Sequence, residues 1–143
     1  MNNDQHGLFE GHYDKNGKRK NYVATYLQPS RGRNFFPCFD DPKYRAQFSL
    51  SVRSKYEEYF VLFNSKEISR EIDSRDDEFF ITKFEVTPKL PIYTLAVLVA
   101  DFEIFEFAGW RLTGPYLTRD VARDILEVSK NISDGLRLSS KRT

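Results

Sequence analysis

Hydrophobic and polar residues alternate along much of this chain with a period of two, the signature of strands with one buried face. The clearest case is Ala46, Phe48, Leu50 and Val52, interleaved with Gln47, Ser49, Ser51 and Arg53. Phe80, Thr82, Phe84 and Val86 repeat the pattern up to Pro88. Leu8 to Tyr13 and Asn21 to Leu27 read as the arms of a hairpin, because Asn16-Gly17 between them suits the left-handed positions of a two-residue turn. Tyr59 to Phe63 is short and apolar, a buried strand ending at Asn64, and polar Ser65 to Glu78 predicts a loop or an exposed hairpin.

Ile92 to Ala100 is almost continuously apolar and predicts a central strand, followed by a partly exposed strand over Phe102 to Phe107. Pro29 and Gly32 interrupt the pattern, and Phe35 to Pro42 predicts a stiff aromatic loop carrying two prolines. After Gly114-Pro115 the period changes. Val121, Ile125, Val128 and Ile132 fall at helical spacing and predict one apolar face. Thr118 serves as N-cap, Asp120 meets the positive end of the helix dipole, Arg123 and Glu127 form an i,i+4 pair, and Gly135 is a stop. The expectation is a mainly β fold followed by one C-terminal helix at about 118–132. It divides into a β domain over 1–107 and a junction helix with a frayed tail over 108–143.

Composition strengthens the β reading, since thirteen Phe and eight Tyr in 143 residues suit pleated, half-buried surfaces. A net charge of +1 supplies no field for nucleic acid or an acidic membrane. The polar start Met1 to His6 lacks the apolar stretch of a signal peptide, and the run ending at Ala100 is far shorter than the roughly 20 residues of a membrane span. The compartment stays open, because a single cysteine is compatible with either side of a membrane.

Candidate chemistry is sparse. A zinc hydrolase needs two imidazoles and a carboxylate on one face, commonly as His-Glu-x-x-His. The only histidines, His6 and His12, have no suitably placed glutamate, so no metal-binding or catalytic residue is assigned. Cys38, between Pro37 and Phe39, is read as a buried structural thiol, and Asp40-Asp41 as turn-capping carboxylates. Asn131-Ile132-Ser133 is a glycosylation triplet at the predicted helix end.

Phe36-Pro37-Cys38-Phe39-Asp40-Asp41-Pro42 resembles the Phe-Pro-Cys-Phe-Asp-Glu-Pro loop of the M1 (gluzincin) zinc aminopeptidases. Its flanks keep the family order: Gly7-Leu8 with Tyr13, then Asn16-Gly17-Lys18, Ala24-Thr25, Gln28-Pro29 and Arg33 before the loop. Leu62-Phe63-Asn64 and Thr87-Pro88-Lys89-Leu90-Pro91-Ile92-Tyr93-Thr94-Leu95-Ala96 follow it, closed by Asp101-Phe102. The resemblance covers Gly7 to Phe102. It implies part of the saddle-like β-sandwich N-terminal domain of an enzyme that removes N-terminal residues from peptides with zinc.

The zinc and exopeptidase motifs, His-Glu-x-x-His and Gly-Ala-Met-Glu-Asn, are absent here. The chain is therefore expected to be a fragment or truncated member, inactive alone and without cofactor, and to meet a peptide substrate only beside a catalytic domain. By resemblance Gln28 is the residue that contacts the substrate α-amino group. Tyr26 stands where the family carries a further Gln, Asp41 replaces its Glu, and Arg31-Gly32 replaces its Asp-Ala. The alternative is a non-catalytic β module that binds a partner, a full-length relative being the candidate, through strand edges or aromatic patches. The family includes membrane-anchored and cytosolic enzymes, so the resemblance leaves localisation open as well.

Overall fold

The computed structural model describes residues 6–55, 57–107 and 110–114 and, beyond them, 121–123, 125, 127 and 130. In chain order its strands are β1 (Gly7–Lys15), β2 (Lys18–Tyr26), β3 (Arg45–Ala46), β4 (Ser51–Lys55), β5 (Phe60–Leu62), β6 (Glu67–Asp73), β7 (Asp76–Phe84), β8 (Leu90–Pro91), β9 (Leu98–Ala100), β10 (Glu103–Phe107) and β11 (Trp110–Gly114). All pairings among the described residues are antiparallel. The expectation of a mainly β fold holds.

The first hairpin closes as its turn residues dictate. Asn16 and Gly17 have φ of 55° and 73°, so both central positions are left-handed and the two-residue turn matches the twist of its strands. β1 pairs with β2 from Lys15↔Lys18 back to Gly7↔Tyr26, giving arms longer than the pattern predicted. The four-stranded sheet has the order β1-β2-β9-β5. Leu8, Val23, Val97 and Val99 share one face of it, because Leu8 pairs with Thr25 and Val23 with Val99. The second sheet, β4-β7-β6, contains the exposed hairpin expected over Ser65 to Glu78.

Three local expectations are corrected. The alternating stretch from Ala46 to Arg53 is not one strand: β3 and β4 are separated by residues 47–50, and Ala46 is exposed. The stretch stays tied to its neighbour, since Phe84 N donates to Leu50 O (3.2 Å) and Thr87 N to Phe48 O (3.0 Å). Thr87 Oγ1 accepts from Phe48 N at 2.9 Å. Between these bonds the register slips by one residue, which exchanges the faces. Val86, expected inside, is 58% exposed, and Thr87 is buried in its place.

The second correction concerns Ile92 to Ala100. Ile92–Thr94 is a 3-10 turn and only Leu98–Ala100 is strand, although that strand is central as expected. Pro91 fixes its own φ and offers no N–H, and its carbonyl accepts from Thr94 Oγ1 at 2.7 Å. Asn64 holds the following loop, with Nδ2 donating to Thr94 O (3.0 Å) and Oδ1 accepting from Ala96 N (2.7 Å). The run is apolar because Ile92 and Leu95 join Leu27 in the core, against Phe35, Phe36, Cys38, Phe48 and Phe63.

The chain divides into two compact units, Met1–Asp101 and Phe102–Thr143. In the second, β10 pairs with β11, a strand the sequence pattern did not single out. Backbone at 121–123, 125, 127 and 130 is helical, within the helix expected over 118–132. Its apolar face is the third correction. Of the expected face, Val121 and Ile125 are 50% and 44% exposed, whereas Ala122 beside them is fully buried. The expected cap Thr118, the face positions Val128 and Ile132, the triplet at Asn131 and the stop at Gly135 lie outside the described residues.

Candidate functional site

Gln28 follows β2 and one fully buried residue. Leu27 is anchored in the core at 1% exposure, and Arg31 N donates to Leu27 O at 2.9 Å, so the chain turns away at once. The Gln28-Pro29 peptide is cis. With Leu27 held inward, Gln28 is exposed, and no hydrogen bond joins its side chain to another described residue. An amide oxygen in this position accepts from a donor such as an ammonium group. Tyr26, 47% exposed on the same corner, stacks on His6 with ring centroids 5.4 Å apart and planes at 21°.

The aromatic loop packs beside this corner. Asp40 accepts from Arg33 N (3.2 Å) and Arg33 Nε (3.3 Å), and its side chain is 3% exposed. Asp41 Oδ1 accepts from Lys43 N at 3.0 Å, and that backbone bond, followed by the Lys43 ammonium, holds the Asp41 carboxyl below its usual range. Both carboxylates therefore cap the turn, as their positions predicted. Cys38 sits partly buried against the core, where burial first and the Asp40 charge second push its thiol up and away from nucleophilic use. Gly32 lies against Ile92, Asp40 Oδ1 and Cys38 Sγ so closely that a Cβ there would overlap the Ile92 side chain.

The histidines do not converge. His6 stacks on Tyr26 at one end of the hairpin, while His12 pairs opposite Asn21, about 16 Å along β1 from Gly7. Among the described residues no three His, Cys, Asp or Glu side chains gather around a common point. The zinc that the resemblance implies therefore has no ligand set in the described part of this chain.

One buried electrostatic cluster is a feature that sequence reasoning missed. Asp101 is 7% exposed at the end of β9. Its Oδ1 accepts from Tyr13 Oη (2.7 Å) and Lys15 Nζ (2.6 Å), and its Oδ2 lies 3.0 Å from Lys20 Nζ. Its backbone carbonyl accepts from the same Tyr13 and Lys15 groups at 3.2 and 2.8 Å. Burial alone would raise this carboxyl, but the bonds from Lys15, Tyr13 and Lys20 outweigh it and bring it down to about 2. Burial, then the bond to Asp101, pushes the Tyr13 phenol far above its ordinary value. Tyr13 and Lys20 pair across the hairpin, with Lys15 two residues on from Tyr13, so β pairing assembles the donors. The sequence signal was an aspartate closing an apolar run, with its partners 81 to 88 residues away. This cluster ties the hairpin to the central strand.

Comparison with known proteins places the sequence in a family. A model of the peptidase M1 N-terminal domain matches residues 1–94. Aminopeptidase Q of Mus musculus is 33% identical over 99 residues, covering 68% of this chain and 18% of that protein. Aminopeptidase N of Oryctolagus cuniculus is 31% identical over 103 residues, covering 72% of this chain and 11% of its own length. Aminopeptidase M1-A of Oryza sativa subsp. japonica is 28% identical over 106 residues, covering 74% and 12%. The chain thus spans less than a fifth of the length of these relatives.

Proposed function

The chain belongs to the M1 peptidase family through its N-terminal domain, and from that premise we propose that it is the β-rich N-terminal part of a zinc aminopeptidase, inactive by itself. Hydrolysis requires a catalytic domain that supplies the metal and the acid–base groups; among the described residues no cluster of His, Cys, Asp and Glu could hold a metal ion. What this chain contributes is Gln28, whose amide oxygen accepts an N–H from the α-ammonium group of a peptide bound alongside. The observation that supports this role is the exposure of Gln28 directly after buried Leu27, on a turn fixed by Pro29.

Two assays test the reading. The purified chain, incubated with zinc and aminoacyl fluorogenic substrates, is expected to hold no stoichiometric metal and to give no turnover; chelator-sensitive turnover would overturn the proposed inactivity. For the amine contact, the corresponding stretch of the Oryctolagus cuniculus aminopeptidase N is replaced by residues 7–102 of this chain. Gln28→Ala in that chimaera is expected to raise KM by about tenfold to a hundredfold, the range for one hydrogen bond to a charged group. Unchanged KM in an active chimaera would remove Gln28 from the site.

A further inference from the structure

Gln28 lies on a short segment held at both ends. Upstream, Leu27 is 1% exposed in the core, and its carbonyl accepts from Arg31 N at 2.9 Å. Downstream, Gly32–Asn34 forms a 3-10 turn, with Asn34 N donating to Arg31 O (3.0 Å) and Phe35 N to Gly32 O (2.9 Å). Gln28, Pro29 and Ser30 span the interval, so the place of the Gln28 amide depends on how firmly the downstream end is fixed.

A helical turn starts with N–H groups that find no partner inside it, and a side-chain oxygen at the cap ordinarily accepts from the second or third of them. The cap position here is Arg31, which makes no such bond, and a guanidinium has donors only. Asp40 takes over that task from seven residues further along the chain. Its Oδ2 accepts from Arg33 N at 3.2 Å, the second N–H of the turn, and from Arg33 Nε at 3.3 Å. A charged acceptor makes the stronger bond to a backbone N–H.

The surroundings favour this use of the carboxylate. The Asp40 side chain is 3% exposed, against 68% for Arg33. Its Oδ1 lies beside Gly32, 3.0 Å from where a Cβ would stand, and Ile92 closes in on the same glycine. Covered in this way, the carboxylate is out of reach of a bound ammonium group and acts only through the turn.

We propose that Asp40 is a positioning residue for Gln28. By capping the 3-10 turn it fixes the downstream end of residues 28–31, and with it the place from which the Gln28 amide oxygen meets an α-ammonium group. This role rests on the amine-binding reading of Gln28, whereas the capping itself does not.

Two measurements keep those parts separate. In the full chain, Asp40→Ala is expected to speed amide exchange at Arg31 and Arg33 by about tenfold, with little change at Val23 in β2. In the chimaera carrying residues 7–102, Asp40→Ala is expected to raise KM by about fivefold or more at unchanged kcat. Combined with Gln28→Ala it should add nothing, because a residue acting through Gln28 has no effect without it. Asp40→Asn keeps an acceptor oxygen and should restore most of the KM; it gives the same pattern at smaller size if Asp40→Ala does not fold. Unchanged exchange at Arg31 and Arg33 overturns the proposal at the cap. A KM loss that adds to that of Gln28→Ala, or a fall in kcat at constant KM, overturns the positioning role. Faster exchange in a chimaera whose KM ignores Gln28→Ala overturns it through the amine-binding reading instead.

Discussion

Replacing Asp101 with Asn removes one charge from its cluster while keeping nearly the same shape. In the wild type, a carboxyl at about 2 in the fold against 3.8 in the free residue contributes about 2 kcal/mol near neutral pH, at ~1.36 kcal/mol per tenfold in proton affinity. The folded value is the depressed one. This stability is therefore present in full well above pH 4 and is lost as the pH falls towards 2. In Asp101→Asn the Lys15 and Lys20 ammonium groups crowd a neutral amide, and one of them faces its N–H₂ end. A loss of about 2–3 kcal/mol at pH 7 is expected. The loss should shrink to below about 1 kcal/mol near pH 2, where the wild-type carboxyl is itself half protonated. Urea unfolding followed by circular dichroism at pH 7, 4 and 2.5 measures both quantities. Other carboxylates titrate in the same window, notably Asp73, which hydrogen bonds from Arg75 and then Arg53 hold well below the usual range. They act on both proteins, so the difference isolates Asp101. A variant within ~0.5 kcal/mol of wild type at pH 7, or a gap that does not narrow on acidification, would refute the reasoning.

Gly32→Ala would drive a methyl into the Ile92 side chain. A cost of about 1–3 kcal/mol is expected in thermal unfolding, falling by at least ~1 kcal/mol in an Ile92→Ala background, where the overlap is gone; additive losses would disprove the contact. Ser54→Ala removes a buried hydroxyl without a partner among the described residues. It should stabilise the free chain by about 1 kcal/mol, read from the urea midpoint at constant m-value, whereas a destabilised variant would mean that the hydroxyl is satisfied in solution.

Sequence patterns located elements wherever local chemistry was decisive. Asn16-Gly17 specified its turn because those residue types tolerate the left-handed backbone it needs. Hairpin arms, the buried strand at Phe60–Leu62 and the polar hairpin followed from alternation and its absence. Patterns failed where one apolar run served two purposes. Ile92 and Leu95 are hydrophobic because they fill the core beside Leu27, and Pro91 breaks the strand there. The slip that buries Thr87 and exposes Val86 was equally hidden, since a side-chain hydroxyl takes a ladder position. At the candidate site, the capping roles of Asp40 and Asp41 followed from their setting, while Gln28 as the amine contact rests on motif order alone. The Asp101 cluster was out of reach of any local window.

By itself the sequence determined the β character of the chain, its first turn and its family. Each of these rests on residue type and short-range order, which the chain carries whether folded or not. Only the tertiary structure decided that Asp101 meets Tyr13, Lys15 and Lys20, and that Ile92 occupies the space above Gly32. These are contacts between residues far apart in the chain. Strand order and register bring them together, and both are settled by the packing of the whole domain rather than by any one segment.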